Sequence, residues 1–357
     1  MTVDPSARHT EADLMRWAMD AARLYRPHPN PRVGAAVVGA AGDLLAVAGH
    51  AGPGEPHAEA AALATVGAAA ANGTLVVTLE PCTHHGRTPP CVDAVLASGV
   101  SRVVVGAIDP DARVGGEGVR LLRAAGVDVT VGVPGVDTEE IDPGYFHHRR
   151  TGRPLVTLKL ATTLDGQVAG ADGTSRWITS PEARHDAHLL RAASDAILVG
   201  AGTALADDPE LTVRIETYEG PQPRPVVVTG RRGLPPGLAL LGREPIILAP
   251  RPVDLPGDVL VVPDTAGERV DPAAAMAELG SLGIIDLLVE GGPTLASSLW
   301  SAGLIDRLVV YLGARLAGGV GRPAFDGALA TLADARPIRI ISVTRVGPDI
   351  KVEASPP

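Results

Sequence analysis

The chain has 357 residues, 45% hydrophobic and 3% aromatic, and a net charge of −10. That length and apolar content suit two ordinary domains with Ala, Val, Leu and Ile cores, and exclude a disordered chain. The acidic balance speaks against a general nucleic-acid binder, and no apolar run nears the ~18 residues of a membrane span.

The first predicted element is an amphipathic helix. Leu14, Trp17, Ala18, Ala21 and Leu24 repeat at helical spacing, and Thr10 with Asp13 forms a capping box. Residues 33–39 and 44–49 read as paired strands around an Ala-Ala-Gly-Asp turn. A helix starts at His57 and ends at Asn72-Gly73. The run 75–79 is a strand that delivers Cys82, and another helix follows Cys91. Strand 103–105, helix 118–125 and strand 127–131 complete an alternation that points to a layered α/β domain. The stretch from Asp142 to Pro154 reads as a linker, and its adjacent His147 and His148 as solvated side chains. We place the domain boundary there, giving domains 1–148 and 149–357.

A second alternation follows. The runs 156–161, 196–199, 226–229, 246–249, 259–262, 284–289, 308–312 and 338–343 read as strands. The runs 182–193, 273–282 and 294–302 read as helices. The tail Ser355-Pro-Pro reads as frayed.

The chemistry concentrates in two strings, His57-Ala58-Glu59 and Pro81-Cys82, with the second cysteine at Cys91. No other cysteine occurs in the chain. His-x-Glu…Pro-Cys-x-x-Cys is the signature of zinc deaminases. Zinc favours imidazole and thiolate, and a catalytic site keeps three protein ligands and an open position. His57, Cys82 and Cys91 supply three, and Glu59 is left to move protons. Both halves fall where a strand hands over to a helix N-terminus, which favours thiolate. With both cysteines assigned to metal no disulfide is implied. The start Met1-Thr-Val-Asp-Pro has no signal-peptide pattern, so the cytoplasm is the expected setting. The departure is the inter-cysteine loop, Thr83 to Pro90, eight residues instead of two.

The string from Thr78 to Cys91, Thr-Leu-Glu-Pro-Cys-Thr-His-His-Gly-Arg-Thr-Pro-Pro-Cys, resembles the cytidine-deaminase superfamily. Its long loop is similar to the pyrimidine deaminases of riboflavin biosynthesis. The second half resembles the reductase partner in the same pathway, with a fold similar to dihydrofolate reductase. The strings that carry this likeness start at Lys159, Ser175, Thr203, Leu211 and Glu290: Lys-Leu-Ala-Thr-Thr-Leu-Asp-Gly, Ser-Arg-Trp-Ile-Thr-Ser-Pro, Thr-Ala-Leu-Ala-Asp-Asp-Pro, Leu-Thr-Val-Arg and Glu-Gly-Gly-Pro-Thr-Leu. The resemblance covers residues 12–353. It implies an N-terminal cytidine-deaminase-like three-layer α/β/α domain and a C-terminal dihydrofolate-reductase-like α/β domain. It also implies zinc and NADPH as cofactors, a phosphoribosylated pyrimidine as substrate, and a homodimer or higher homo-oligomer through the reductase half. Deamination of the ring comes first, then reduction of the ribosyl group to ribityl.

Matching positions imply roles. In the deaminase half Glu59 is catalytic, and Asn30, His50, His84 and Arg87 bind substrate. In the reductase half Lys159 is catalytic; it is the only lysine before residue 351. Ser175, Arg191, Leu211, Arg214 and Glu290 bind substrate there, Arg191 and Arg214 at phosphate positions. Ala161, Asp165, Trp177, Thr203, Asp207, Gly230, Gly291, Gly292, Pro293, Thr294 and Leu295 bind NADPH. Asp111 stands where the family commonly has Asn near a phosphate; either it turns away or Arg113 compensates. Val-Val-Val-Thr-Gly at 226–230 replaces an Asp-Ser pair, so Arg231 and Arg232 become candidates for a 2′-phosphate. Two other readings are a deaminase whose C-terminal half only dimerises, and a nucleic-acid deaminase. The shared presence of Lys159, Asp207, Arg214 and Glu290 weighs against the first; the acidic charge and few aromatics weigh against the second.

Overall fold

The structure is a computed structural model that describes residues 9–230, 233–319, 321–326 and 331–357. Arg231 and Arg232, the 2′-phosphate candidates, lie outside the described residues. The chain divides into two compact units, Met1–Thr151 and Gly152–Pro357.

The first unit is built around one sheet. Its elements are α1 (Glu11–Arg23), β1 (Gly34–Val38), β2 (Leu44–Gly49), α2 (Ala58–Val66), β3 (Thr74–Leu79), α3 (Cys91–Ser98), β4 (Arg102–Ala107), α4 (Glu117–Ala124), β5 (Asp128–Val131) and α5 (Pro143–Thr151). The strand order is β2-β1-β3-β4-β5. Strand β1 is antiparallel to both neighbours, and β3, β4 and β5 are parallel. Parallel strands need crossovers, and α3 and α4 supply them. Helix α1 buries Leu14, Met15, Ala18, Met19 and Ala22 against Ala36, Val38, Val76 and Val104. Both glycines of the β1–β2 pair, Gly34 and Gly49, lie against the α1 backbone at Ala18 and Ala21, where a Cβ would collide with a carbonyl oxygen.

The second unit contains β6 (Leu155–Thr163), β7 (Gln167–Gly170), α6 (Pro181–Ala192), β8 (Ala196–Gly200), α7 (Ala201–Asp207), β9 (Arg224–Val228), β10 (Ile246–Ala249) and β11 (Asp258–Val261). It continues with α8 (Pro272–Ser281), β12 (Asp286–Val289), α9 (Pro293–Ser301), β13 (Arg307–Gly313), β14 (Gly321–Pro323), β15 (Arg339–Val346) and β16 (Asp349–Ser355). Nine strands form one sheet in the order β11-β10-β9-β8-β12-β6-β13-β16-β15. The strands from β11 to β13 run parallel, and the β15–β16 hairpin adds antiparallel at the edge. Buried on both faces, the central strands read as near-continuous apolar runs such as Ala-Ile-Leu-Val at 196–199.

Three expectations change. The linker is helix α5, because Tyr145 and Phe146 are buried and the Tyr145 hydroxyl donates to Asp109 at 2.9 Å. His147 and His148 on that helix are half-buried rather than solvated. The α1 stripe stops before Leu24, which lies past the helix end and is 77% exposed; Met15 and Met19 take its place in the core. Four elements were not anticipated: α7, β16 and the short paired strands β7 and β14. Strand β16 includes Ser355, which had been placed in the frayed tail.

Gly34→Ala must push α1 off the sheet and is expected to destabilise the protein by about 1–3 kcal/mol. Gly86→Ala, where a Cβ meets nothing within 4 Å, is the control. Denaturant melts of the two variants check this; equal midpoints would refute the close contact.

Candidate active sites

In the first unit three elements bring the zinc-type donors together. His57 is the N-cap of α2, Cys91 is the first residue of α3, and Cys82 follows β3. The His57 Nδ1 lies 3.1 Å from the Cys91 Sγ and 3.6 Å from the Cys82 Sγ. All three candidate ligand atoms fall within 4.8 Å of one another. Thr88 Oγ1 is 3.3 Å from His57 Nε2. Nδ1 is the ring nitrogen that faces the two thiols, and a hydrogen-bond partner on the other nitrogen is usual for a metal-bound imidazole. Without metal, the contact with Cys91 and then His57 pull the Cys82 thiol down to about 4, while Cys91 is pushed up by the same contact and by burial. One imidazole and two sulfurs at this spacing, with a thiolate already favoured, fit zinc.

Glu59 sits in the first turn of α2, only 3% exposed, and its Oε2 has no hydrogen-bond partner. Burial lifts its carboxyl to about 7. A buried carboxyl group with one unpartnered oxygen, beside the His57, Cys82 and Cys91 cluster, is suited to carrying protons. His50 donates from Nδ1 to the Pro56 carbonyl at 3.1 Å and accepts from the Asn30 side-chain amide at Nε2, 2.9 Å away. Its ring stacks edge-on to His57 at 4.9 Å. The structure thus brings Asn30, His50, His57, Cys82, Cys91 and Glu59 together. His84, His85 and Arg87 are exposed on the loop, and Thr88 is the loop side chain that reaches the cluster.

Glu80 was overlooked, although it adjoins the Pro-Cys motif. Its buried carboxylate accepts main-chain N–H groups of Asp109, Gly116 and Val119 at 3.2, 2.8 and 3.1 Å, tying the β3 and β4 ends to α4. At Asp111, Arg113 is the compensating group. Its Nε and Nη2 donate to the carboxylate at 3.0 and 2.5 Å and hold the acid down to about 2.

In the second unit the parallel strands bring their C-terminal ends to one edge of the sheet, where α/β proteins bind ligands. Lys159 lies on β6 and Glu290 immediately follows β12. Extending the observed register of Val289 with Leu158 by one residue sets them side by side. Arg191, from the last turn of α6, grips Glu290 with Nε and Nη2 at 2.7 and 3.0 Å. Its Nη1 donates to the Thr212 carbonyl at 2.8 Å. Burial alone would raise the Glu290 carboxyl, but Lys159 and Arg191 outweigh it and hold it down to about 2. Leu211 is buried with φ +55, a left-handed conformation uncommon outside glycine. His188, not singled out from the sequence, accepts the Arg214 N–H at 3.1 Å; its spacing of three from Arg191 on one helix was the available signal.

The remaining positions fall around the same edge. Thr203 on α7 faces Gly292, the N-cap of α9, with Gly291, Pro293, Thr294 and Leu295 beside it. Thr294 donates to Asp326 at 2.5 Å. Asp207 ends α7 and lies 3.5 Å from Arg176. Trp177 is 57% exposed, with the Arg184 guanidinium 4.3 Å from its ring centre, and Ser175 is exposed beside it. Ala161 lies on β6, paired with Tyr311. Gly230 is exposed after β9, while Thr229 is buried against the Leu248 carbonyl. The Asp165 carboxylate accepts N–H groups of Ala317, Gly318 and Gly319 at 3.0, 3.0 and 3.2 Å, so it organises that glycine loop.

Glu59→Gln is expected to leave zinc bound and to slow deamination by about 10²-fold or more, the usual worth of a positioned proton carrier. Elemental analysis and ammonia release check this; loss of metal would make Glu59 part of the ligand set.

Residues 8–107 match the cytidine and deoxycytidylate deaminase zinc-binding region, and residues 154–352 match the RibD C-terminal domain. The riboflavin biosynthesis protein RibD of Escherichia coli is 39% identical over 345 residues, covering 91% of this chain and 93% of that one. RibD of Mycobacterium tuberculosis is 40% identical over 328 residues, 90% of each. Among solved structures, Acinetobacter baumannii RibD superposes with a TM-score of 0.88 at 33% identity, covering 97% of this chain and 99% of that one. The Thermotoga maritima diaminohydroxyphosphoribosylaminopyrimidine deaminase/5-amino-6-(5-phosphoribosylamino)uracil reductase gives 0.86 at 31%, with the same coverage. With both halves matched in one chain and in the same order, the protein belongs to the RibD family of bifunctional deaminase–reductases of riboflavin biosynthesis.

Proposed function

We propose that this bifunctional enzyme acts twice on one phosphoribosylated pyrimidine. It first deaminates 2,5-diamino-6-(5-phosphoribosylamino)pyrimidin-4-one hydrolytically. It then reduces the ribosyl group of 5-amino-6-(5-phosphoribosylamino)uracil to ribityl with NADPH. The observation that carries the reading is the pairing, in one chain, of a His/Cys/Cys cluster beside an orphaned buried glutamate with a Lys159–Glu290–Arg191 charge cluster at a sheet edge.

In the first unit His57, Cys82 and Cys91 would hold zinc, which when bound acidifies a water and makes it a nucleophile near neutral pH. Glu59 takes a proton from the water and passes it to the ring nitrogen and departing amine, so water enters and ammonia leaves. Because the His50 tautomer is set by Pro56, its Nε2 holds the Asn30 amide in place, and the rest of that amide can orient the pyrimidine. In the second unit NADPH supplies the hydride for C1′ of the opened sugar. Opening moves a proton onto the ring oxygen, and reduction puts one on the amine nitrogen. Lys159 beside Glu290 is the donor–acceptor pair suited to both transfers.

Lys159→Ala is expected to spare ammonia release and to lower NADPH oxidation on the deaminated substrate by about 10²-fold or more. Following both signals on the diaminopyrimidine substrate tests the whole reading. Ammonia release without NADPH oxidation by wild-type protein would reduce the second unit to a non-catalytic module.

We also infer a homodimer through the second unit. Strand β15 is an unpaired sheet edge, and Ile340 and Val343, each 60% exposed, lie on one face across a bulge. Edges of this kind invite pairing. Val343→Asp is expected to shift the protein toward monomer in light scattering; a monomeric wild type would sink the idea. A cytoplasmic setting is supported by the two thiols of the zinc-type cluster, and no helix among the described residues is long and apolar enough to cross a membrane.

A further inference from the structure

Helix α6 presents His188 and Arg191, three residues apart and so on one face, to the segment from Thr212 to Arg214. Each side chain takes one main-chain group. Arg191 donates to the Thr212 carbonyl at 2.8 Å, and His188 Nδ1 accepts the Arg214 N–H at 3.1 Å. An imidazole nitrogen that accepts an amide proton must be unprotonated, so the ring is neutral with its hydrogen on Nε2. The two arginines then differ. The Arg191 guanidinium is engaged by Glu290 and Thr212. The Arg214 side chain is exposed and makes no hydrogen bond or ion pair among the described residues. It is the guanidinium left to meet an incoming anion, and His188 fixes the main chain from which it springs.

We propose that His188 is a positioning residue for anion capture in the second unit, pinning the Arg214 main chain so that the guanidinium is held ready for a phosphate monoester. The charges facing the imidazole are Arg191 on the same helix, Arg214 on the facing segment, Lys159 on β6 and Glu290 after β12. Burial first, then the three cations, hold the ring down to about 4 against the pull of Glu290. The acceptor therefore stays available through the neutral range. An imidazolium at this place would lose the Arg214 N–H and repel the guanidinium it is meant to set.

The inference rests on the second unit acting as the reductase of a phosphorylated sugar. The test uses the full-length protein, with NADPH oxidation measured on 5-amino-6-(5-phosphoribosylamino)uracil and on its unphosphorylated riboside. Loss of one main-chain hydrogen bond predicts that His188→Leu raises KM for the phosphorylated substrate about 5- to 10-fold while kcat stays within about twofold. On the riboside, His188→Leu should match wild type. His188→Asn, whose Oδ1 can stand where Nδ1 stood, should restore KM. The KM ratio of His188→Asn to wild type should stay flat between pH 6 and 8, since neither acceptor titrates there. Ammonia release by the first unit serves as the folding control. An unchanged KM in His188→Leu, an equal loss on the riboside, failure of the Asn variant, or a KM ratio that drops as pH falls through the ordinary histidine range would each overturn the positioning role. Wild-type protein that oxidises no NADPH with this substrate overturns the reductase reading and this inference with it. Wild-type turnover with an indifferent His188→Leu overturns the inference alone.

Discussion

Main-chain N–H groups at the ends of a buried sheet have to be paired, and here carboxylates do much of that pairing. Glu80 takes three of them between β3, β4 and α4, and Asp165 takes three from the loop 317–319. Asp195 accepts from Ile285 and Asp286, and Asp349 accepts from Ser180 and Ala314. Charge-assisted bonds of this kind are stronger than neutral ones and fix loops that carry no core of their own. Functional groups sit on the loops so fixed. Cys82 follows Glu80 by two residues, and α6 begins directly after Ser180. Part of the acidic excess is thus structural rather than a solvated surface.

The two sites use charge in opposite ways. In the first unit Glu59 is buried with its Oε2 lacking a hydrogen-bond partner, and burial lifts its carboxyl to about 7, so its proton is easily exchanged near neutrality. In the second unit Glu290 is surrounded by cations and stays ionised. One carboxyl group can change protonation near neutrality, and the other stays charged. Burial raises both, and the neighbours decide which way each goes. A buried pair such as Arg191–Glu290 is poor insulation against mutation, because removing either member strands the other.

Much of this was readable from the residues. Zinc chemistry demands few residue types at fixed order, so His57, Glu59, Cys82 and Cys91 stood out, and the structure gathers them. The central strands were legible because burial on both faces leaves uninterrupted Val, Ile and Leu. Helix α5 was not, because Asp-Pro-Gly at its start and His-His-Arg-Arg within it have the composition of a linker. What makes it a helix is the burial of Tyr145 and Phe146, a tertiary fact. Strand β16 carried a signal that was missed: Ile350, Val352 and Ala354 alternate with Lys351, Glu353 and Ser355. Thr88 and His188 act through single hydrogen bonds to partners far along the chain, and no local pattern announces those.

The scarcity of lysine has an effect away from either site. The chain contains only Lys159 and Lys351. Lys159 helps hold Glu290 ionised, and Lys351 lies 3.0 Å from Asp186 and 3.3 Å from Glu353. All the remaining side-chain cations that persist above neutrality are guanidinium groups, which keep their proton to above pH ~12. Most proteins shed positive charge above about pH 9 as surface lysine amines deprotonate. This one has almost no surface amine to lose, so its arginine ion pairs and its electrostatic field keep their strength where a lysine-rich relative would already be fading.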